Sequence, residues 1–192
     1  MLKDLVERNR SYRRFYQDVR ITKEELIELV DLARLAPSAK NNQPLKYFIS
    51  NTSEVNNKIF ETLTWAGYLK DWDGPKEGEK PSAYIIVFLD KNITDNNYCD
   101  HNLAVQNILL GAVEKDFGGC IIAAFNRKKI TEIVSPGINI EPLLVLALGK
   151  PKEEINLYEI NPNDDIKYWR NSDQIHQVPK RKLDDILIKN KA

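Results

Sequence analysis

Ala36-Pro37-Ser38-Ala39-Lys40-Asn41-Asn42-Gln43-Pro44 stands where an amphipathic helix stops and a short strand begins. Pro37 and Pro44 fix φ and disfavour helix at the residues before them, so the loop through Gln43 is expected to hold one stiff conformation at low entropic cost. Ser38, Asn41, Asn42 and Gln43 supply donors and acceptors of the kind that read the edge of a planar heterocycle with alternating carbonyl and N–H groups. An ordinary helix-to-strand loop capped by amides is the competing reading of the same residues.

Working outward, Thr22 and Glu25 form a capping box, and Leu26, Leu29, Val30 and Ala33 recur at helical spacing, which predicts a helix from about Lys23 to Leu35. Before it, Leu2, Leu5 and Val6 give a short helix ending near Asn9, followed by Arg10-Ser11-Tyr12-Arg13-Arg14-Phe15. Three arginines in five residues with a serine among them are a local anion site, since guanidinium groups pair with phosphate in a bidentate fashion; a charged helix end is the alternative.

After the loop, Tyr47-Phe48-Ile49 reads as a strand and Ser53 as the cap of a helix through about Trp65. Asp71 to Pro81 is a loop that carries Trp72, either as a lid over a pocket or as an indole packed for stability. Tyr84–Leu89, Cys120–Phe125 and Leu143–Leu148 are apolar runs of strand length, as expected for strands covered on both faces. Between the first two, Cys99 to Phe117 predicts a helix with almost no polar face. A chain of 192 residues can hardly surround such a helix alone, so a partner subunit is expected to cover it. Gly118-Gly119 ends that helix and offers backbone to which a ligand could come close. Beyond Pro151 the sequence turns polar and is read as a tail without its own core, closing with a helix from about Leu183 to Ile188.

The chain is read as one domain over residues 1–192, with 152–192 as a C-terminal extension packing on the partner subunit. Twenty-eight basic and 28 acidic side chains leave no bulk charge to attract nucleic acid or anionic membrane. Cys99 and Cys120 are too few for a disulfide framework, and no apolar run approaches a membrane span, which points to a reducing, cytoplasmic setting. Dinucleotide, P-loop and serine-hydrolase fingerprints are missing, and His101 and His176 stand in no metal-ligand spacing with the cysteines. Basic and amide-rich loops around apolar strands suit a protein that holds a phosphorylated planar cofactor and lets it carry the reaction.

Arg10-Ser11-Tyr12-Arg13-Arg14-Phe15, Pro37-Ser38-x-x-Asn41-x-Gln43-Pro44, Asp100 to Asn107 with Gly118-Gly119-Cys120, Gly149-Lys150-Pro151 and Val178-Pro179-Lys180-Arg181, in that order, resemble the nitroreductase family of FMN-dependent oxidoreductases. The resemblance implies an α+β fold with a mostly antiparallel central sheet flanked by helices, an intertwined homodimer, and FMN at the interface. It also implies reduction of nitroaromatics, quinones or related small acceptors by NADH or NADPH in a ping-pong mechanism, with no catalytic side chain because the flavin N5 carries the hydride. Arg10, Ser11 and Arg13 resemble the phosphate and ribityl contacts, joined by Lys180 and Arg181. Pro37, Ser38 and Asn41 resemble contacts supplied by the partner, and Gly119, Cys120 and Ala123 lie where backbone meets the ring. Asn9 stands where many members carry a further arginine, and Lys76 and Lys80 are both candidates for the flavin N1/O2 edge. Flavin-dependent dehalogenases and flavin-fragmenting relatives share this fold, and a non-catalytic anion-binding module is the alternative outside the flavin class.

Overall fold

The computed structural model describes residues 1–188. It divides into two compact units, Met1–Trp65 with Asp73–Lys152, and Ala66–Trp72 with Glu153 onward. The first unit runs α1 (Leu2–Arg8), β1 (Phe15–Tyr16), α2 (Lys23–Arg34), a single 3₁₀ turn (Ala39–Asn41), β2 (Leu45–Ser50), α3 (Ser53–Phe60), β3 (Ala83–Asp90), α4 (Asp100–Glu114), β4 (Gly118–Ile122), α5 (Arg127–Val134) and β5 (Ile140–Pro151). Its five-stranded sheet has the order β1-β5-β3-β2, with β4 also on β5, and every one of these ladders is antiparallel.

β5 is the strand on which the others register. One edge pairs with β3 and the other takes β4 and then β1, ending at Phe15↔Pro151. Pro142 can donate nothing to a ladder, and the β3 register shifts beside it, Val87 facing Leu144 and Phe88 facing Pro142. All of β3 is buried, as its unbroken apolar run requires. By the two-residue alternation of a strand, Ala83, Ile85 and Val87 join Leu144, Leu146 and Leu148 in a core with α2 and α4, while Tyr84, Ile86 and Phe88 turn to the opposite face. The α2 capping box is present in full: the Thr22 hydroxyl accepts from Glu25 N–H, and the Glu25 carboxylate accepts from Thr22 N–H at 2.8 Å.

Three expectations need correction. α4 does not need a second chain to bury it, because α2 and the sheet already cover Ala104, Val105, Ile108, Leu109 and Ala112, leaving Leu103 exposed. α3 stops at Phe60 rather than Trp65 and its N-cap is Thr52; the Thr62 hydroxyl turns back to the Ile59 carbonyl, and Trp65 packs on Phe60 instead of extending the helix. Finally, the polar tail builds a sheet of its own. In the second unit β6 (Ile155–Ile160) runs parallel to β8 (His176–Arg181), which pairs antiparallel with β7 (Trp169–Arg170) before the short α6 (Leu183–Ile186). The Glu153 carboxylate, fully buried, pairs with Arg170 at 3.1 Å, and the Arg170 guanidinium lies 4.4 Å from the Trp72 ring centroid. Trp72 therefore has a packing role, the second of its two readings.

Gly119 is required by close packing. A Cβ there would lie 2.8 Å from the Ala147 carbonyl and 2.6 Å from a Leu148 methyl, and backbone cannot move aside. Gly119→Ala is expected to destabilise the fold by about 1–3 kcal/mol, the usual range for overpacking, measured as a lower urea midpoint at unchanged slope.

Candidate functional site

The arginine arm is pinned to β4. α1 ends at Asn9, whose N–H donates to Leu5 C=O, and the chain then runs extended so that Ser11 bridges Gly119 in parallel and Tyr12 N–H donates to Gly119 C=O at 3.0 Å. The Tyr12 ring fills the space over Gly118, where a Cβ would come within 2.5 Å of it, and its hydroxyl donates to Arg8 C=O at 2.9 Å. Gly118-Gly119 thus seats the arm.

Along this arm the cationic groups differ in what already holds them. Arg8 is engaged by Asp4 at 3.1 Å and by Asp116 at 3.5 Å. Arg10 donates from Nη2 to Val6 C=O at 2.7 Å, yet its Nε is buried with no hydrogen-bond partner among the described residues. Arg13 donates to Ser11 C=O at 3.2 Å, while Ser11 itself is exposed and its hydroxyl makes no hydrogen bond among the described residues. A buried guanidinium N–H left unpaired is unfavourable by about 1–3 kcal/mol, and an anion accepting from Arg10, Ser11 and Arg13 would relieve it. The donor set fits a phosphate.

The loop through Pro37 is a second construction, anchored at the start of α4. The Asp100 carboxylate, 4% exposed, accepts from the Ser38 hydroxyl at 2.6 Å and from Ala39 N–H at 2.9 Å; the same hydroxyl accepts from Gln43 N–H at 2.8 Å. Lys40, Asn41 and Gln43 all have left-handed backbone, φ 54°, 54° and 49°, so the stiffness expected from the prolines is completed by hydrogen bonds and by strain. Beneath lies a cavity of about 170 Å³ lined by Ala36, Pro37, Ser38, Gln43, Tyr47 and Asp100, among others. Tyr47 was read only as strand and Asp100 only as the start of a motif, neither as a site residue. The one available signal was an acid opening an otherwise apolar helix.

The other candidates are placed as follows. Gly119 and Cys120 are buried in β4, and Ala123 is exposed just past its end. Lys80 is paired with Glu77 at 2.9 Å with its ammonium 4.9 Å from the Phe60 ring centroid, on the wall of a separate cavity of about 550 Å³ that also includes Gln17, Asn56 and Tyr84. Lys76 is exposed. Lys180 and Arg181 are exposed on β8, opposite Glu159 and Ile160, in the second unit. Among the described residues no cluster of His, Cys, Asp and Glu could hold a metal, neither Cys99 nor Cys120 forms a disulfide, and no helix is long and apolar enough to cross a membrane.

This α+β frame recurs in solved structures. A nitroreductase family protein of Streptococcus pneumoniae TIGR4 matches over 99% of this chain and 100% of its own with a TM-score of 0.69 at 16% identity. An FMN-dependent nitroreductase of Clostridium difficile R20291 matches over 78% of this chain and 87% of its own with a TM-score of 0.64 at 23% identity. In sequence, an Archaeoglobus fulgidus protein named as a candidate NADH dehydrogenase/NAD(P)H nitroreductase is 30% identical over 172 residues, 85% of this chain and 90% of its own length. An oxygen-insensitive NADPH nitroreductase of Helicobacter acinonychis is 24% identical over 205 aligned positions, 87% of this chain and 95% of that protein. The family match and these relatives define an enzyme of the oxidoreductase class. Residues 6–150 match the nitroreductase family, and the chain belongs to it.

The loop cavity has a spectroscopic handle. Burial, and secondarily the Asp100 charge, push the Tyr47 phenol up to about 12. The folded state thus keeps the proton longer than an unfolded tyrosine near 10, so this contribution to stability is whole below about pH 10 and lost between roughly pH 10 and 12. Ultraviolet titration of tyrosinate is expected to show a late-titrating phenol that disappears in Tyr47→Phe.

Proposed function

We propose that the protein is an FMN-dependent oxidoreductase that takes reducing equivalents from NADH or NADPH and passes them to nitroaromatics, quinones or related small acceptors. The observation that carries this is the buried Arg10 Nε, without a hydrogen-bond partner among the described residues, on the same arm as the exposed Ser11 and as Arg13, an arm held against Gly119. Arg10, Ser11 and Arg13 would hold the FMN phosphate; the backbone from Gly119 to Ala123 would flank the ring; Pro37 and Asn41 would be presented by a partner subunit. When bound, FMN supplies the hydride-accepting and hydride-donating ring. The protein's part is to bind it, orient it and keep its phosphate out of water. Lys180 and Arg181 belong to the other unit, so the phosphate proposal rests on the N-terminal arm alone.

The same reading includes a homodimer and a cytoplasmic location. Leu103 on α4 and Ile121 on β4, 43% and 41% exposed, supply apolar surface for a second subunit. Without a dinucleotide-binding fingerprint, nicotinamide and acceptor are taken to use one site in turn. Parallel double-reciprocal lines are expected for NAD(P)H against a quinone, and intersecting lines would overturn the ping-pong order. Sedimentation is expected to show a dimer that retains flavin, and a stable yellow monomer would exclude the shared site.

The phosphate contacts have the sharpest test. Each charge-assisted hydrogen bond is worth roughly 1.5–3 kcal/mol, so Arg13→Ala should weaken FMN binding about ten- to a hundredfold. Riboflavin, which has no phosphate, should bind the wild type and Arg13→Ala equally. Wild-type FMN affinity in Arg13→Ala would make the arm a solvated surface segment instead.

A further inference from the structure

Asp100 opens α4 with a carboxylate that is almost wholly buried and forms no ion pair among the described residues. Its hydrogen-bond partners among those residues both come from one place, the Ser38 hydroxyl on Oδ2 and Ala39 N–H on Oδ1. A buried charge without a counter-ion depends on its hydrogen bonds, helped here by the N-terminal end of a 15-residue helix dipole. The loop in turn depends on the carboxylate. Lys40, Asn41 and Gln43 hold left-handed φ values that side-chain-bearing residues adopt reluctantly, and Ser38 closes this bend by accepting Gln43 N–H while donating to Asp100.

A hydroxyl has one proton, and that of Ser38 is committed. Ser38 therefore has no donor left for a ligand, although its position in the motif suggested a contact. The groups of this loop that face outward are different ones: Pro37 and Asn41 are exposed, and the Asn41 side-chain amide makes no hydrogen bond among the described residues. We propose that Asp100 is a positioning residue for cofactor binding: its carboxylate holds Ser38 and Ala39 so that the loop presents Pro37 and Asn41 in one shape, and Ser38 works through Asp100 rather than on the ligand. This rests on the reading that the loop contacts flavin. On that reading the specificity of the loop is set from beneath, by a side chain on a different element.

The test compares Asp100→Asn, Ser38→Ala and the double variant with wild type in two measurements, amide hydrogen exchange and FMN affinity from flavin fluorescence. Ser38 and Ala39 donate to different oxygens of Asp100, and in Asn, which retains the shape of Asp, one of those two positions becomes an NH₂ that cannot accept. Ser38→Ala leaves the carboxylate in place and keeps the test readable if Asp100→Asn fails to fold. The expected result is exchange at Ala39 and Gln43 at least tenfold faster with the α4 interior from Val105 to Ala112 unchanged, an FMN Kd raised about tenfold, and a double variant no weaker than the worse single. Unchanged exchange at Ala39 and Gln43, or faster exchange spread evenly through α4, would overturn the proposal, the latter by making Asp100 a helix-stabilising residue only. A loosened loop with wild-type FMN affinity would overturn it as well, and Arg13→Ala then tells the two readings apart. If Arg13→Ala still weakens FMN, the flavin reading stands and only the loop's part in it fails; if it too has no effect, the flavin reading itself fails.

Discussion

Everything in the first unit takes its register from β5. Among the described residues that strand pairs with three others, β3 on one side and β4 followed by β1 on the other. Because a slip of one residue would turn every side chain to the wrong face, the alternation of Leu144, Leu146 and Leu148 toward α2 and α4 fixes where β4 must lie. β4 then fixes the arm, through Gly119 C=O and through the space that Gly118 leaves for Tyr12. Fold and site are thus one chain of constraint, running from an apolar strand to the buried Nε of Arg10.

The two candidate contact regions are built on different physics. The arm is cationic: Arg8 already has Asp4 and Asp116, whereas Arg10 Nε is buried without a hydrogen-bond partner among the described residues. The Pro37 loop carries one exposed cation, Lys40, and is strained and closed by hydrogen bonds to Asp100 and within itself. One region offers charge and the other offers shape. A phosphorylated planar cofactor asks for both, the first for its phosphate and the second for the polar edge of its ring.

Much of this was legible in the residues. The capping box of Thr22 and Glu25, the unbroken apolar run of β3 and the arginine motif each depend on near neighbours, so local pattern carries them. The family resemblance rests on the same local motifs in order, and residues 6–150 match that family. What misled was reasoning from amount rather than arrangement. A helix with almost no polar face looked too apolar for one chain to bury, but α2 crosses it and the sheet backs it, which no count of leucines reveals. A polar tail looked coreless, yet Glu153 and Arg170 bury as a pair and Trp72, from before β3, packs on that arginine.

The sequence by itself determined the types of α2, α4, β3 and β5, the α+β class and where the cationic side chains cluster, because periodicity, caps and side-chain chemistry act over a few positions. Tertiary structure alone decided which of those residues meet. Ser38 and Asp100 are 62 positions apart and Ser11 and Gly119 farther still, and the partner of a hydroxyl or carbonyl at that separation depends on how helices and strands pack. For the same reason the sequence could name Ser38 as a candidate contact, while only the fold shows that its proton is already given to Asp100.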